Sequence, residues 1–436
     1  MRTVTRHAAA GLLVAALATA ASAQSPAARI RADIGVLAAD RFEGRATGTA
    51  GNDSAAAWLA RRHLALGLRP LLADTSRADC RMATVPPRCA TFLQRFTARS
   101  AEMAHAGQTD GMAAQNVVAL IPGSDPALRG EYVVIGAHYD HLGRSPASSM
   151  DPDALDAIRN GADDNASGTA AVLELARRLV ARPARRSVIV AHFTGEELGL
   201  LGSQWFVEHA PVAVDSVAAM LNFDMVGRLR QRRLIVYGTG TAAELPAILR
   251  EANAGNGLAI SPVADGFGPS DHSSFHAKGI PVLHFFTDLH GDYHRATDDV
   301  EKINAAGAAR VVAVAERVVR AIADRPSRLT ATRTAGPVAR MTNREGSNVY
   351  LGTIPDMSAG DSSGLRLTGV RAGSPADRGG LRAGDVIVLL DHAAVKDLYS
   401  YSAALYAHQP DDTVQIGYLR GGKPYRVTVK LGKRGQ

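Results

Sequence analysis

The stretch Tyr132-Val133-Val134-Ile135-Gly136-Ala137-His138-Tyr139-Asp140-His141 decides how this chain is read. Its first half is uncharged and rich in β-branched residues, the signature of a strand buried on both faces. Its second half changes abruptly to imidazole, phenol and carboxylate. The same design recurs: 187–193 is followed by Thr194-Gly195-Glu196-Glu197, 218–223 by Asp224, and 281–286, through a short loop, by Tyr293-His294. Further apolar runs lie at 117–121 and 234–237, and helical spacing at 167–180, 202–209, 242–254 and 305–323 separates several of them. Buried strands alternating with helices predict an α/β domain with a mostly parallel central sheet covered by helices on both faces. Such sheets bind ligands beyond the carboxyl ends of their strands, the edge at which these polar residues gather.

Outward from this core, 30–38 and 52–66 read as helices. Between them runs Arg41-Phe42-Glu43-Gly44-Arg45-Ala46-Thr47-Gly48-Thr49-Ala50-Gly51, which by itself fits any turn-rich connection. Arg2 and Arg6, an apolar stretch over 8–20 and Ala21-Ser22-Ala23 are the successive parts of a secretory signal peptide, expected over 1–23. The α/β domain is expected over 24–326 and a polar linker over 327–345. From 346 to 434 the pattern changes to short strands with one or two small helices, a separate β-rich domain.

Composition narrows the classes. The chain of 436 residues is 46% hydrophobic and 21% charged, ordinary for a folded protein of two domains. Without Arg2 and Arg6 its 49 basic side chains fall to 47 against 42 acidic ones, so the formal charge of +7 becomes +5. The excess is scattered Arg, and the basic 228–233 patch reads as a solvated loop, so no nucleic-acid partner is expected. No later apolar run is long enough for a membrane span, and an exported protein, periplasmic or secreted, is expected. Cys80 and Cys89 lie close in sequence and outside every metal-type motif, which in an exported protein favours a disulfide.

Each polar group has a plain alternative. His138 with Asp140 can be a satisfied pair at a strand end, Glu196-Glu197 surface carboxylates, Asp224 a turn former and His294 a loop residue. The turn Gly161-Ala162-Asp163-Asp164-Asn165-Ala166-Ser167-Gly168 can be a helix N-cap. Their joint occurrence at one sheet edge asks for a chemical reason. Peptide hydrolysis near neutral pH needs a deprotonated water and a stabilised oxyanion, and two metal ions sharing a carboxylate supply both. Imidazole and carboxylate ligands without Cys suit catalytic zinc. His138 and Asp140, two apart on an extended segment, point the same way, so Asp140 can orient the imidazole. Of two adjacent glutamates, one can bind metal while its neighbour serves as general base.

Taken together, Gly136-Ala137-His138-Tyr139-Asp140, the 161–168 turn, Gly195-Glu196-Glu197-Leu198-Gly199, Asn222-Phe223-Asp224-Met225 and Tyr293-His294 with Thr297-Asp298 resemble the co-catalytic zinc aminopeptidases of the aminopeptidase S and aminopeptidase Y type. The Phe42-Glu43-Gly44-Arg45 loop and Leu66-Gly67-Leu68 look like the N-terminal region of the same family. The resemblance implies the zinc exopeptidase fold, two zinc ions per chain, and peptide substrates with free N-termini. Carried over by position, it implies that Asp164 bridges both ions, that His138 and Asp224 complete one site, and that Glu197 and His294 complete the other. Glu196 would be the general base, Asp140 the partner of His138, and Tyr293 the hydroxyl that steadies the tetrahedral intermediate. It also implies a cis peptide between Asp164 and Asn165, where Asn stands for the commoner Asp, and a substrate-side loop over 268–275 with Asp271 or His272 orienting the substrate.

The C-terminal domain resembles a PDZ domain of the bacterial protease type through Gly373-Ser374-Pro375-Ala376 and Gly380-Leu381-Arg382-Ala383-Gly384-Asp385-Val386-Ile387. Tyr350-Leu351-Gly352-Thr353 would receive the carboxylate of a protein or peptide ligand. Pro355 departs from the pattern, because it has no N–H to offer an incoming strand. Two other readings use the same residues: a glutaminyl cyclase-like zinc enzyme, and a PDZ-mediated binding protein with a vestigial peptidase site.

Overall fold

The computed structural model describes residues 24–74, 80, 89–99, 111–145, 149–151, 154–332, 349–355, 364–396, 398–405 and 407–433. The expected signal peptide and positions 333–345 of the expected linker lie outside the described residues. In the first domain the strands are β1 (Arg69–Pro70), β2 (Leu72–Ala73), β3 (Ala90–Thr91), β4 (Leu93–Ala98), β5 (Met112–Ile121), β6 (Tyr132–His138), β7 (Ser187–Phe193), β8 (Val217–Phe223), β9 (Arg233–Tyr237), β10 (Ala259–Pro262) and β11 (Val282–Phe286). β2 and β3 pair beside a Cys80–Cys89 disulfide. The others form one sheet in the order β1-β5-β7-β6-β8-β11-β9-β10, with β4 added on β5.

The centre of this sheet is parallel, as β7, β6, β8 and β11 share one direction. Its flanks are not: β5 runs antiparallel to β7, and β9 antiparallel to β11. An apolar run records burial on both faces and says nothing of direction, so a mixed sheet and a parallel one read alike in sequence. Alternate residues of the central strands feed two cores. Val133, Ile135, Val190 and Leu221 pack with the helices Pro26–Leu37, Gly168–Ala181 and Ala305–Ala323 on one face. Val134, Ile189, Phe193 and Met220 pack with Leu201–Glu208 and His272–His276 on the other.

Residues 327–332, expected as the start of the linker, pack on this domain. Leu329 is buried in its core, Arg328 Nε meets Glu131 at 3.0 Å, and the Thr330 N–H donates to Glu244 at 2.9 Å. The second domain contains β12 (Val349–Tyr350), β13 (Thr353–Pro355), β14 (Leu365–Val370), β15 (Val386–Leu390), β16 (Ala393–Ala394), β17 (Thr413–Arg420), β18 (Lys423–Lys430) and β19 (Gly432–Lys433). Its sheet runs β13-β14-β15-β17-β18, with β16 on β15 and β12 on β19. Leu351, Leu367, Ile387, Val414 and Ile416 form its core. Gly352, at φ 84°, has to be glycine: a Cβ there would stand 2.2 Å from that of Ser374. β13 ends the sheet, and its register shifts between Ile354 and Pro355.

Candidate metal centre

Parallel pairing levels the ends of the central strands, with His138 opposite Phe193 and Gly136 opposite Asn222. His138 therefore closes β6, Asp224 follows β8, and Glu196 and Glu197 follow β7 at one edge of the sheet. Asp164 arrives on the turn that feeds the helix Gly168–Ala181, and its peptide bond to Asn165 is cis. Three consecutive polar residues of that turn, Asp163, Asp164 and Asn165, divide their tasks. Asp163 Oδ1 accepts from Ser167 Oγ at 2.8 Å and from the Gly227 N–H at 2.7 Å. Asn165 Oδ1 accepts from the Gly168 N–H at 2.9 Å, the capping role, while its Nδ2 donates to Phe223 O at 2.9 Å. An ionised Asp at 165 would set an oxygen against that carbonyl, which gives Asn its reason here. Asp164 caps nothing and faces imidazoles.

Its two oxygens face different ones. Asp164 Oδ1 lies 3.3 Å from His138 Nε2, which is 3.4 Å from Asp224 Oδ1. Asp164 Oδ2 lies 3.2 Å from His294 Nε2, which is 3.2 Å from Glu197 Oε2. Two atoms bound to one tetrahedral zinc at 2.0–2.1 Å stand about 3.3 Å apart, so each of the two histidines stands from its two carboxylates at the spacing of atoms sharing an ion. Asp224 Oδ1 is buried and accepts no hydrogen bond among the described residues, while Asp224 Oδ2 accepts from Ser270 Oγ at 2.8 Å. The residues thus fit a pair of cations with Asp164 between them. Glu196, His138 and Asp224 also bring ligand-type atoms within 4.8 Å of one another.

Behind these groups the chain is tied by buried polar contacts. His138 Nδ1 meets the Asp140 main-chain carbonyl at 3.2 Å, with Asp140 Oδ1 at 3.6 Å; Oδ1 accepts from the Glu196 N–H at 3.3 Å, and Oδ2 accepts from Thr47 Oγ1 at 2.9 Å. Arg45 is fully buried, and its guanidinium donates to four main-chain carbonyls: Leu37 (2.6 Å), Tyr139 (2.7 Å), Asn160 (2.7 Å) and Gly161 (3.0 Å). Burial lowers its pKa to about 10, opposed by the charges of Asp140 and Asp164. It fastens the segment after β6 to the Asp164 turn.

The electrostatics follow from crowding. Burial alone would lower the pKa of His138, but the charges of Asp224 and Glu196 raise it well above the usual imidazole range. Burial raises the Glu196 carboxyl well above the carboxylate range, with Glu197 and Asp224 adding to it against His138. Glu197 is held at about 2, since His294 and the bonds from His141 and His294 outweigh its burial. Tyr293 stacks on the His294 ring at 3.8 Å, and burial together with nearby carboxylates holds its hydroxyl protonated, well above the usual phenol range.

His138, Asp140, Asp164, Glu196, Glu197, Asp224, Tyr293 and His294, named from the sequence, all lie in this cluster. Asp271 and His272 do not line an open surface: both are fully buried, and the His272 ring stacks on His284 at 4.4 Å. Sequence reasoning assigned no task to Arg45, Thr47, Asn165 or His141. His141 stood in the opening motif, but its contact with Glu197 at 2.7 Å joins segments 56 residues apart and leaves no trace in local pattern.

The fold and the paired acid–imidazole groups define an α/β domain of exopeptidase type. More narrowly, residues 116–319 match the model of peptidase family M28 and residues 339–431 that of the PDZ domain. Leupeptin-inactivating enzyme 1 of Streptomyces exfoliatus is 29% identical over 218 residues, covering 49% of this chain and 42% of that protein. Aminopeptidase YwaD of Bacillus subtilis is 30% identical over 184 residues, covering 40% and 37%. The chain thus spans less than half the length of these curated relatives. A Zn-dependent exopeptidase from Parabacteroides distasonis (TM-score 0.53, 17% identity, 67% of this chain and 97% of that one) shares the fold. So does Porphyromonas gingivalis glutaminyl cyclase (TM-score 0.52, 18% identity, 67% and 97%).

Proposed function

We propose that the chain is an exported aminopeptidase that holds two zinc ions and removes N-terminal residues from peptides. The observation that carries this reading is Asp164, whose two oxygens each face a histidine–carboxylate group at ligand spacing. His138, Asp224 and Asp164 would hold one ion; His294, Glu197 and Asp164 would hold the other. Bound zinc supplies Lewis acidity, which makes water acidic near neutral pH and polarises a peptide carbonyl. Glu196 takes the proton of the attacking water and passes it to the leaving amine. Asp140 orients His138, and the Tyr293 hydroxyl donates to the developing oxyanion. The signal-like start of the chain and the Cys80–Cys89 disulfide support export, and the PDZ domain supports a peptide or protein ligand.

The test is mass spectrometry of a peptide library incubated with zinc-loaded protein, with and without chelator. Chelator-sensitive loss of single residues from free N-termini is the expected result. Loss of ammonia from N-terminal Gln peptides would replace this reading with a cyclase, and an untouched library would favour a binding protein. Glu196→Gln should lower kcat by about 10²–10⁴-fold with zinc content unchanged; full activity in that variant would remove Glu196 from the mechanism.

A further inference from the structure

His141 has no task in the reaction proposed above, yet its Nδ1 reaches Glu197, while its Nε2 is buried and makes no hydrogen bond among the described residues. It is buried, and its main-chain N–H approaches the Arg45 carbonyl at 3.4 Å. Its ring lies against Gly161, which sits at φ 54°: a Cβ there would stand 2.5 and 2.6 Å from His141 Cδ2 and Cγ. The absence of a side chain at 161 thus makes room for the His141 ring and for the Asp164 carbonyl, which would stand 2.0 Å from that Cβ. The ring also meets His294 edge to face, with centroids 5.6 Å apart at 73°. Its Nδ1 lies 2.7 Å from Glu197 Oε1 and 3.8 Å from Asp164 Oδ2.

Those two distances separate a ligand from a neighbour. Atoms sharing one tetrahedral zinc stand about 3.3 Å apart, as His294 Nε2 does from Asp164 and Glu197, at 3.2 Å each. At 2.7 Å, His141 Nδ1 is too near Glu197 Oε1 for the two to be ligands of one ion, and at the length of a hydrogen bond to a carboxylate. A carboxylate with both oxygens free can grip an ion with two bonds; one whose second oxygen accepts a hydrogen bond offers a single bond. Catalytic zinc keeps a position open for water or substrate, and a one-bond Glu197 serves that need.

Building on the zinc reading, we propose that His141 is a positioning residue: its Nδ1–H holds Glu197 Oε1, so that Oε2 alone joins Asp164 and His294 at the second ion.

The experiment compares the full-length wild-type chain with His141→Ala, His141→Leu, His141→Asn and His294→Ala. It measures zinc stoichiometry and affinity by competition with a chromogenic chelator, and the visible spectrum of the cobalt-substituted proteins. Leu fills the ring space without a donor, whereas the Asn amide N–H can take the place of Nδ1–H. Expected is a second-ion affinity weakened about 10- to 100-fold in Ala and Leu, with weaker cobalt bands reporting a higher coordination number, and recovery of both in Asn. His294→Ala should lose one ion outright. Wild-type affinity and spectrum in both Ala and Leu would overturn the proposal. So would loss of a whole ion in Ala, Leu and Asn alike, which would make His141 a ligand. If Ala does not fold, the Leu and Asn pair carries the same decision. Fewer than two ions on the wild-type chain would instead overturn the zinc reading, and this proposal with it.

Discussion

His138 and His294 stand among carboxylates at the carboxyl edge of the sheet, and both are raised above the usual imidazole range. His63, His192, His272 and His284 lie in the interior of the same domain, and burial pushes all four down, His63 to about 3 and His284 to about 4. His63 and His192 face each other at 5.2 Å, with neither ring nitrogen of either accepting or donating among the described residues. Burial opposes the charged form in both regions. What reverses the outcome at the edge is the convergence of Asp224, Glu196, Glu197 and Asp164 on two rings. A buried histidine is therefore no sign of a site; a buried histidine facing several acids is.

The strongest way to break this contrast is to remove the shared acid. Asp164→Asn should drop zinc below two ions per chain and kcat/KM by about 10³-fold or more, as several kcal/mol of charge stabilisation is lost. Elemental analysis and peptide kinetics check this, and two ions retained with near-normal turnover would show that the acids do not define the edge. A smaller effect is expected behind the site. Arg45→Met leaves buried carbonyls of the His138 and Asp164 segments without a donor, and should cost roughly 3 kcal/mol or more in urea unfolding. An unchanged midpoint would mean that the segments hold their places unaided.

The smallest effect tests the interior group. An unfolded imidazole binds a proton near pH 6.5, whereas folded His63 does so only near 3. The unfolded chain thus carries more protons between these values, and stability is fully present above pH 6.5 and lost as pH falls through the window. His63→Phe should flatten the loss by about 1.4 kcal/mol per pH unit. Parallel curves for wild type and variant, from denaturant melts at pH 7 and 5, would remove His63 from the account.

The α/β architecture was legible because buried strands such as 133–137 exclude polar residues over their whole length, and because His138, Glu196 and Asp224 begin where those runs stop. Strand direction was not legible: the flanking runs 117–121 and 234–237 are as apolar as the central ones, yet pair antiparallel. By residue type alone Asp163, Asp164 and Asn165 could each cap a helix, and only the family resemblance singled out Asp164; folding gave the cap to Asn165 and turned Asp164 toward the imidazoles.

The sequence by itself determined which side chains reach the carboxyl edge, because strand length and alternation are local properties. Tertiary structure alone decided which oxygen meets which nitrogen. The Arg45 clamp and the His141–Glu197 contact span up to 116 and 56 residues of chain, and a hydrogen bond depends on tenths of an ångström that no local pattern encodes.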